Sequence, residues 1–202
     1  MDGTLGILLA GGRGTRLETG APKALVRLAG ETLLSRARAT LAACCERVVV
    51  VAPGSLVLPV PAAERLADAT PGAGPLAALV GAMEARAWEL ALVLGVDLPL
   101  VRVAALLALR ERLGARPAVV PAPGGRPQPL AAWYARAAQA PLTAAHAAGG
   151  RALVPAVMAL GPALVSGEAL ASLPGGEFAF LNVNTPDELA RAGRALDARG
   201  AA

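Results

Sequence analysis

Short apolar runs alternate with longer segments of helical spacing through the first three fifths of the chain. Runs of strand length lie at 5–10, 47–52, 90–94 and 118–121, and apolar residues recur at helical spacing over 32–44, 76–87 and 103–113. The uninterrupted β-branched run Val48–Val51 is typical of a strand buried on both faces of a parallel sheet. This order of strands and helices predicts an α/β fold with right-handed crossovers.

The pattern changes after Pro121. Gly124-Gly125 forms a predicted turn, Pro129–Tyr134 a strand of different direction, and Leu142–Ala148 a helix. We expect short strands at 163–165 and 177–181 and a last helix at 186–198, with Thr185 as its N-cap and Pro186 at its first position. Neither an internal repeat nor a long linker divides the sequence, so residues 1–202 are expected to form a single domain.

Composition narrows the class of protein. Apolar residues make up 55% of the 202 residues, which is enough for a sizeable core. Aromatic residues make up 2%, and the basic residues are scattered, so we expect no nucleic-acid partner. No apolar run reaches the length of a membrane span, and the first residues lack the basic start of a signal peptide, so we expect no membrane contact and a cytoplasmic location. The net charge of +4 fits either a site for small polyanions or an Arg-rich surface without a partner.

Histidine and cysteine offer little chemistry. Cys44 and Cys45 are adjacent and lack metal-site or redox spacing, so buried or half-buried free thiols are expected. His146 is the only histidine, which excludes a multi-histidine metal site and favours a surface or helix-end position.

The loop after the first strand has the composition of a phosphate site. Glycines let backbone N–H groups turn toward an anion, and arginine and lysine supply positive charge. The residues concerned are Gly11, Gly12, Gly14, Thr15, Arg16 and Lys23. The loop is not a P-loop, which requires G-x-x-x-x-G-K-[ST], and Leu17 stands where a dinucleotide fingerprint requires its third glycine. A Gly-rich turn with solvated basic residues is the structural alternative.

Two aspartates stand out. Asp97 follows the buried strand at 90–94, and the carboxyl end of such a strand is where open α/β sheets bind ligands. It is therefore a candidate for holding Mg²⁺ against phosphates, or else a helix cap or a buried hydrogen-bonded carboxylate. Asp68 precedes a Pro-Gly-rich loop, where it would either accept hydrogen bonds from a guanine edge or only form a turn.

Candidates in the second half are less specific. Asn182 and Asn184 lie two apart and would point the same way if the segment is extended, which would let both complete a metal or phosphate site. Asn184 would alternatively only begin the turn before the last helix. Arg126 and Arg151 are candidates for binding an anionic acceptor, with solvated arginines as the alternative.

Together these motifs resemble one family. L-A-G-G-x-G-T-R-L with P-K-A-L, D-A-T-P-G-A-G-P-L, G-V-D-L-P-L, R-P-Q-P-L and N-V-N-T-P-D-E-L occur in the order seen in molybdenum cofactor guanylyltransferases, and they cover nearly the whole chain. The resemblance implies a GT-A-like (Rossmann-like) nucleotidyltransferase fold of three layers, a mostly parallel sheet with helices on both faces. It also implies Mg²⁺-dependent transfer of GMP from GTP to molybdopterin that carries molybdenum, with release of pyrophosphate, and cofactor-delivery proteins as further partners.

The resemblance also implies roles for individual residues. Those expected to contact the nucleotide are Leu9, Ala10, Gly11, Gly12, Lys23, Asp68 and Asp97. Lys23 would bind the phosphates, Asp68 would read the guanine, and Asp97 with Asn184 would bind Mg²⁺. Lys23, Asp97 and Arg16 would carry the catalysis.

One feature departs from the family. Its members usually have an aspartate before the lysine in a slightly shorter loop, whereas here Pro22 precedes Lys23. That arrangement is closer to cytidylyltransferases and sugar-phosphate nucleotidyltransferases, which remain alternatives with the same chemistry. A non-catalytic protein that binds a nucleotide or cofactor is the alternative from another class.

Overall fold

The computed structural model describes residues 3–11, 17, 20–68 and 72–200, except for the side chains of residues 199 and 200. Its strands are β1 (Thr4–Leu9), β2 (Arg27–Leu28), β3 (Glu31–Thr32), β4 (Arg47–Ala52), β5 (Arg65–Ala67), β6 (Leu90–Gly95), β7 (Ala118–Pro121), β8 (Ala131–Ala135) and β9 (Ala163–Val165). Its α-helices are α1 (Leu33–Cys44), α2 (Pro75–Ala85), α3 (Val103–Arg110), α4 (Gln139–Ala147), α5 (Leu153–Met158), α6 (Gly167–Ala171) and α7 (Pro186–Gly200).

Most strands of the main sheet run in one direction. Within the described residues, seven strands form this sheet in the order β5-β4-β1-β6-β8-β7-β9, and β2 pairs with β3 separately. β1 is parallel to β4 and β6, β4 is parallel to β5, and β7 is parallel to β9. β8 is antiparallel to both β6 and β7. The expected mostly parallel sheet is confirmed, as is the strand of different direction near 129–134.

The strand order creates a crevice at the centre of the sheet. After β1 the chain moves to one side to form β4, and later crosses to the other side of β1 to form β6. Connections that leave neighbouring strands in opposite directions open a space outside their carboxyl ends, and ligands bind there in open α/β sheets. Gly11, just after β1, and Asp97, just after β6, both lie at this point.

Side chains that alternate along the strands build a core on each face of the sheet. Leu8, Val50 and Leu92 belong to the cluster that includes residues of α1 and α3. Ile7 and Val93, which are their sequence neighbours, belong to the cluster that includes residues of α2, α4 and α5. The three-layer arrangement is therefore confirmed, with both faces of the sheet covered by helices.

One predicted element was wrong. The stretch 177–181, expected as a strand, forms a 3₁₀ helix at Gly176–Phe180. Gly175 and Gly176 both have positive φ, 90° and 53°, and turn the chain sharply just before it. Phe178 and Phe180 are spaced like one face of a strand, but here the 3₁₀ turn buries Ala179 and Phe180 together.

The cysteines and the histidine lie where the sequence predicts. Cys44 and Cys45 are free and buried at the end of α1. Burial raises the pKa of the Cys44 thiol to about 11 and that of Cys45 to about 12, so both stay protonated near neutral pH. His146 lies in the last turn of α4.

Candidate active site

A cavity of about 330 Å³ opens at the carboxyl ends of the central strands. Leu9 and Gly11 line it from the end of β1, Asp68 from the end of β5, and Gly95 and Asp97 from the end of β6. Its volume falls in the range of small-molecule sites. The sheet thus brings together loops that are far apart in the sequence.

Lys23 enters this cavity as a buried cation. It begins a 3₁₀ turn, Lys23–Leu25, and only 7% of its surface is exposed. Its Nζ donates a hydrogen bond to Oδ1 of Asn184 at 2.6 Å and lies 3.5 Å from Oδ2 of Asp97. A buried ammonium group needs such partners, because leaving water without them is costly. The three side chains therefore form one polar group at the carboxyl edge of the sheet.

The backbone and the side chain of Asp97 each contact a neighbouring segment. Its carbonyl oxygen accepts a hydrogen bond of 2.8 Å from the backbone N–H of Val183, which ties the segment before α7 to the end of β6. Its Oδ1 lies over Gly95, where a Cβ atom would collide with the carboxylate. Glycine at the end of β6 therefore leaves space for the Asp97 side chain.

Asn184 is fixed by the first turn of α7. Thr185 and Glu188 form a capping box: Oγ1 of Thr185 accepts from the N–H of Glu188 at 3.3 Å, and Oε2 of Glu188 accepts from the N–H of Thr185 at 3.0 Å. The same Oε2 also accepts from the N–H of Asn184 at 2.7 Å. The Asn184 N–H and, to a lesser degree, Thr185 and the charge of Lys23 lower the pKa of Glu188, with partial burial opposing them.

The amino terminus of α2 forms another wall of the cavity. Gly72, Gly74 and Pro75 line it, with Gly74 at φ 97° as the N-cap and Pro75 in the first turn. The first N–H groups of a helix lack partners within the helix and favour anions. The P-G-A-G-P stretch beyond Asp68 is the sequence signal for this wall, which the motif analysis did not assign to anion binding.

The residues present suit a divalent cation in one respect. Asp97 and Asn184 offer a carboxylate and an amide oxygen, both of which Mg²⁺ accepts, and it commonly takes only one or two protein carboxylates when phosphates supply the rest. An amide oxygen has two lone pairs, so Asn184 has capacity for a cation beside its bond to Lys23. Among the described residues no group of three or more His, Cys, Asp or Glu side chains could hold a metal. The donor set therefore fits a metal bound jointly with phosphates.

Comparison with known proteins identifies the family. Residues 6–160 match the sequence profile of the MobA-like NTP transferase domain. The chain belongs to the MobA-like NTP transferase family. It is therefore a nucleotidyltransferase, which sets aside the non-catalytic alternative.

Two curated relatives cover this MobA-like chain almost completely. A protein of Chloroflexus aggregans named "Probable molybdenum cofactor guanylyltransferase" is 37% identical over 91% of this chain and 90% of its own length. A protein of Deinococcus radiodurans with the same name is 36% identical over the same shares. These names support a role in molybdenum cofactor biosynthesis.

Solved structures share the fold of this MobA-like transferase. Molybdopterin-guanine dinucleotide biosynthesis protein A of Archaeoglobus fulgidus matches 96% of this chain and 98% of its own, with a TM-score of 0.75 and 25% identity. The 2-C-methyl-D-erythritol 4-phosphate cytidylyltransferase of Thermus thermophilus matches 95% and 98% with a TM-score of 0.65 and 23% identity, a likeness of fold.

The other predicted site residues lie in several places. Ala10 is buried, does not line the cavity, and donates its N–H to the Val51 carbonyl at 2.9 Å. Gly12 and Arg16 lie outside the described residues, as do Gly14 and Thr15. Their assigned roles stay predictions.

Asn182 does not line the cavity of Lys23 and Asp97. It lines a separate cavity of about 100 Å³ together with Phe178 and Arg191. Its Oδ1 is buried without a hydrogen-bond partner among the described residues. Asn184 contacts Lys23 and Asn182 lines this other cavity, so the structure does not bring the two asparagines together at one site.

The two candidate acceptor arginines are exposed. Arg126 follows the turn after β7, and Arg151 precedes α5. The backbone of Arg151 packs against Gly74, so that a Cβ at Gly74 would lie 2.9 Å from the Arg151 carbonyl oxygen. Arg151 thus lies beside the cavity wall, and its role toward an acceptor stays a prediction.

No helix within the described ranges is both long and apolar enough to cross a membrane. The cytoplasmic location stays a prediction.

Proposed function

We propose that this protein transfers GMP from GTP to the phosphate of molybdopterin that carries molybdenum, and that it releases pyrophosphate. The observation that carries the proposal is the buried Lys23 ammonium, held by Asn184 and Asp97 at the edge of the cavity. The names of the curated relatives support the substrate class. The family membership supplies the reaction type.

The reaction needs positioning and charge more than proton transfer. An oxygen of the acceptor phosphate attacks the α-phosphorus of GTP, a new P–O bond forms, and the bond to the bridging oxygen of the β-phosphate breaks. Pyrophosphate leaves with that electron pair. A phosphate monoester is largely ionised near neutral pH, so no strong general base is required.

Lys23 is placed to stabilise the charge that develops on the phosphates. Its ammonium is fixed by two oxygen partners, so it needs little reorganisation when the negative charge moves. Arg16 would add a second cation, and the amino terminus of α2 would favour an anionic group nearby. These groups orient the α-phosphate for in-line attack.

Asp97 and Asn184 would hold Mg²⁺. When bound, the ion supplies neutralisation of phosphate charge.

Asp68 is the proposed reader of the base. It lines the cavity at the end of β5. Its backbone N–H donates a hydrogen bond of 2.9 Å to the Ala52 carbonyl, which fixes the backbone position of the residue. A carboxylate accepts hydrogen bonds from the ring N–H and exocyclic amine of guanine together, whereas an amide at this position would replace one acceptor with a donor. Asp68→Asn should therefore reduce the preference for GTP over CTP by at least about tenfold, measured as a ratio of kcat/KM. A ratio unchanged by this variant would remove the base-reading role.

The direct test is pyrophosphate release with GTP and molybdopterin, with the product identified by mass spectrometry. We expect turnover by the unaltered protein, loss of turnover in Asp97→Ala, and near-normal turnover in Asp187→Ala, which removes the same charge from the exposed first turn of α7. Turnover with CTP in place of GTP would indicate a cytidylyltransferase, and turnover with a sugar phosphate in place of molybdopterin would indicate a sugar-phosphate nucleotidyltransferase. Wild-type rates in Asp97→Ala would contradict the assignment of Asp97.

A further inference from the structure

The Asn184 backbone lies in a segment without regular secondary structure. Residues 181–184 connect the 3₁₀ helix Gly176–Phe180 to α7. Yet the side chain of Asn184 makes the 2.6 Å hydrogen bond that holds the Lys23 ammonium. A contact from outside this segment must therefore fix its position.

Glu188 makes one more hydrogen bond than helix capping requires. A capping box uses the Glu side chain to accept from the backbone N–H of the N-cap residue, here Thr185. Oε2 of Glu188 also accepts from the N–H of Asn184, and this bond is the shorter of the two, 2.7 Å against 3.0 Å. The additional bond reaches the one residue of the segment whose side chain touches Lys23.

We propose that Glu188 is a positioning residue for nucleotidyl transfer: its carboxylate fixes the backbone of Asn184, and Asn184 in turn holds the Lys23 ammonium beside Asp97. The inference rests on the proposed function. Glu188 acts through Asn184 and touches no reacting atom. Partners that orient a metal ligand, as Asn184 would be, typically contribute 10- to 100-fold to metal affinity or activity.

A purely structural role for Glu188 makes a different prediction. Thr185→Ala removes the Oγ1 that accepts from the Glu188 N–H and weakens the helix cap, but it leaves the bond from Glu188 to the Asn184 N–H intact. Both Thr185→Ala and Glu188→Ala should lower the melting temperature. Only the Glu188 substitution should weaken nucleotide binding if Glu188 positions Asn184.

The test measures GTP affinity by calorimetry with Mg²⁺ and without acceptor, so that no turnover is needed. We expect Glu188→Ala to weaken GTP binding by about 10- to 100-fold. Glu188→Asp keeps the charge in the first turn but shortens the reach to Asn184, and should lose a similar factor. Glu188→Gln keeps an oxygen acceptor at full length and should stay within about threefold, and Thr185→Ala within about twofold.

A double-mutant cycle tests the route through Asn184. In the background of Asn184→Ala, Glu188→Ala should cost less than about twofold further affinity, because the amide that it positions is gone. The loss of melting temperature should remain, because helix capping does not depend on the Asn184 side chain.

Two results would overturn the inference alone: wild-type GTP affinity in Glu188→Ala, or the full loss persisting in the Asn184→Ala background. A wild-type protein that binds none of GTP, CTP, ATP and UTP would instead overturn the proposed function, and the inference with it.

Discussion

Lys23 is the residue whose charge the site depends on most. Its ammonium is buried and has two oxygen partners, so a substitution removes both a cation and a fixed geometry. Lys23→Met keeps most of the side-chain volume while deleting the charge. We expect kcat with GTP to fall by about 10²- to 10³-fold, the usual loss when one preorganised group that stabilises developing charge is removed.

The matched control for that substitution is Arg27→Met, which removes the same charge from an exposed position in β2. Among the described contacts of Arg27, Nη1 donates a hydrogen bond to the Gly30 carbonyl. Its kcat should stay within about twofold. Equal losses in the two variants would mean that net charge, and not the Lys23 position, sets the rate.

Gly95 tests the placement of Asp97. A Cβ added at Gly95 would collide with Oδ1 of Asp97 and come within 3.5 Å of the Leu130 Cβ. Gly95→Ala should therefore displace the carboxylate and reduce turnover by about 10- to 100-fold while the protein still folds. Steady-state kinetics and a melting curve separate these two effects.

Gly81→Ala is the comparison, because a Cβ there meets nothing within 4 Å. It lies inside α2, so alanine should raise stability slightly without changing turnover. Turnover at the wild-type rate in Gly95→Ala would show that the Asp97 carboxylate tolerates displacement.

At the scale of single residues, the sequence identified candidates but not their partners. Asp97 could be picked out because it follows a buried strand, and Lys23 because it ends the Gly-rich loop. The bond between Lys23 and Asn184 joins residues 161 positions apart, which no local pattern contains. Asn182 shows the same limit, since spacing alone placed it beside Asn184.

At the scale of elements, an ion pair with two hydrogen bonds connects α1 to the 3₁₀ turn before β5. Nε and Nη2 of Arg38 donate to Oε2 and Oε1 of Glu64 at 2.6 and 2.5 Å. The hydrogen bonds from Arg38 hold the pKa of Glu64 below its ordinary value of 4.5, with partial burial opposing them. A carboxylate whose pKa is lowered by folding stabilises the protein at pH values above its ordinary pKa.

Glu64→Gln should therefore be less stable than the wild type at pH 7. The difference in the free energy of unfolding should shrink as the pH falls below about 4.5 and then through the lower pKa that Glu64 has in the folded protein. At such pH values both proteins carry a neutral side chain at position 64. Urea unfolding at a series of pH values measures it. Glu31→Gln is the control, since its pair with Arg36 is looser at 3.6 Å and should matter little. A difference that grows on acidification would contradict this account.

Long elements were easier to predict than short ones. The strands β1, β4, β6 and β7 are apolar runs, and their positions agree with the prediction to within a residue. β5 has three residues, α5 six and α6 five, and they were not predicted because such lengths are too short to show periodicity. The exception is β9, which confirms the short strand expected at 163–165. The 3₁₀ helix at 176–180 was misread because glycine conformation, and not side-chain alternation, decides its backbone.

At the scale of the whole molecule, topology explains why the site is where it is. The chain leaves β1 toward β4 and returns on its other side as β6, so Gly11 after β1 and Asp97 after β6 line one crevice. The last segment before α7 then closes on Asp97 through the bond from the Val183 N–H. Residues from near the beginning, middle and end of the chain thus meet at one edge of the sheet.

The proposed function requires GTP to bind in this crevice. It is tested most directly by thermal unfolding with GTP, CTP, ATP or UTP at equal concentration, with and without Mg²⁺. A ligand at about 100 times its Kd stabilises a protein by about 2.7 kcal/mol, which for this size is a rise of about 5–10 °C in Tm. We expect that rise with GTP and Mg²⁺ in the wild type and a much smaller one in Lys23→Met. No rise with any of the four nucleotides would contradict the account, and a rise with CTP alone would move the substrate to the cytidylyltransferase class.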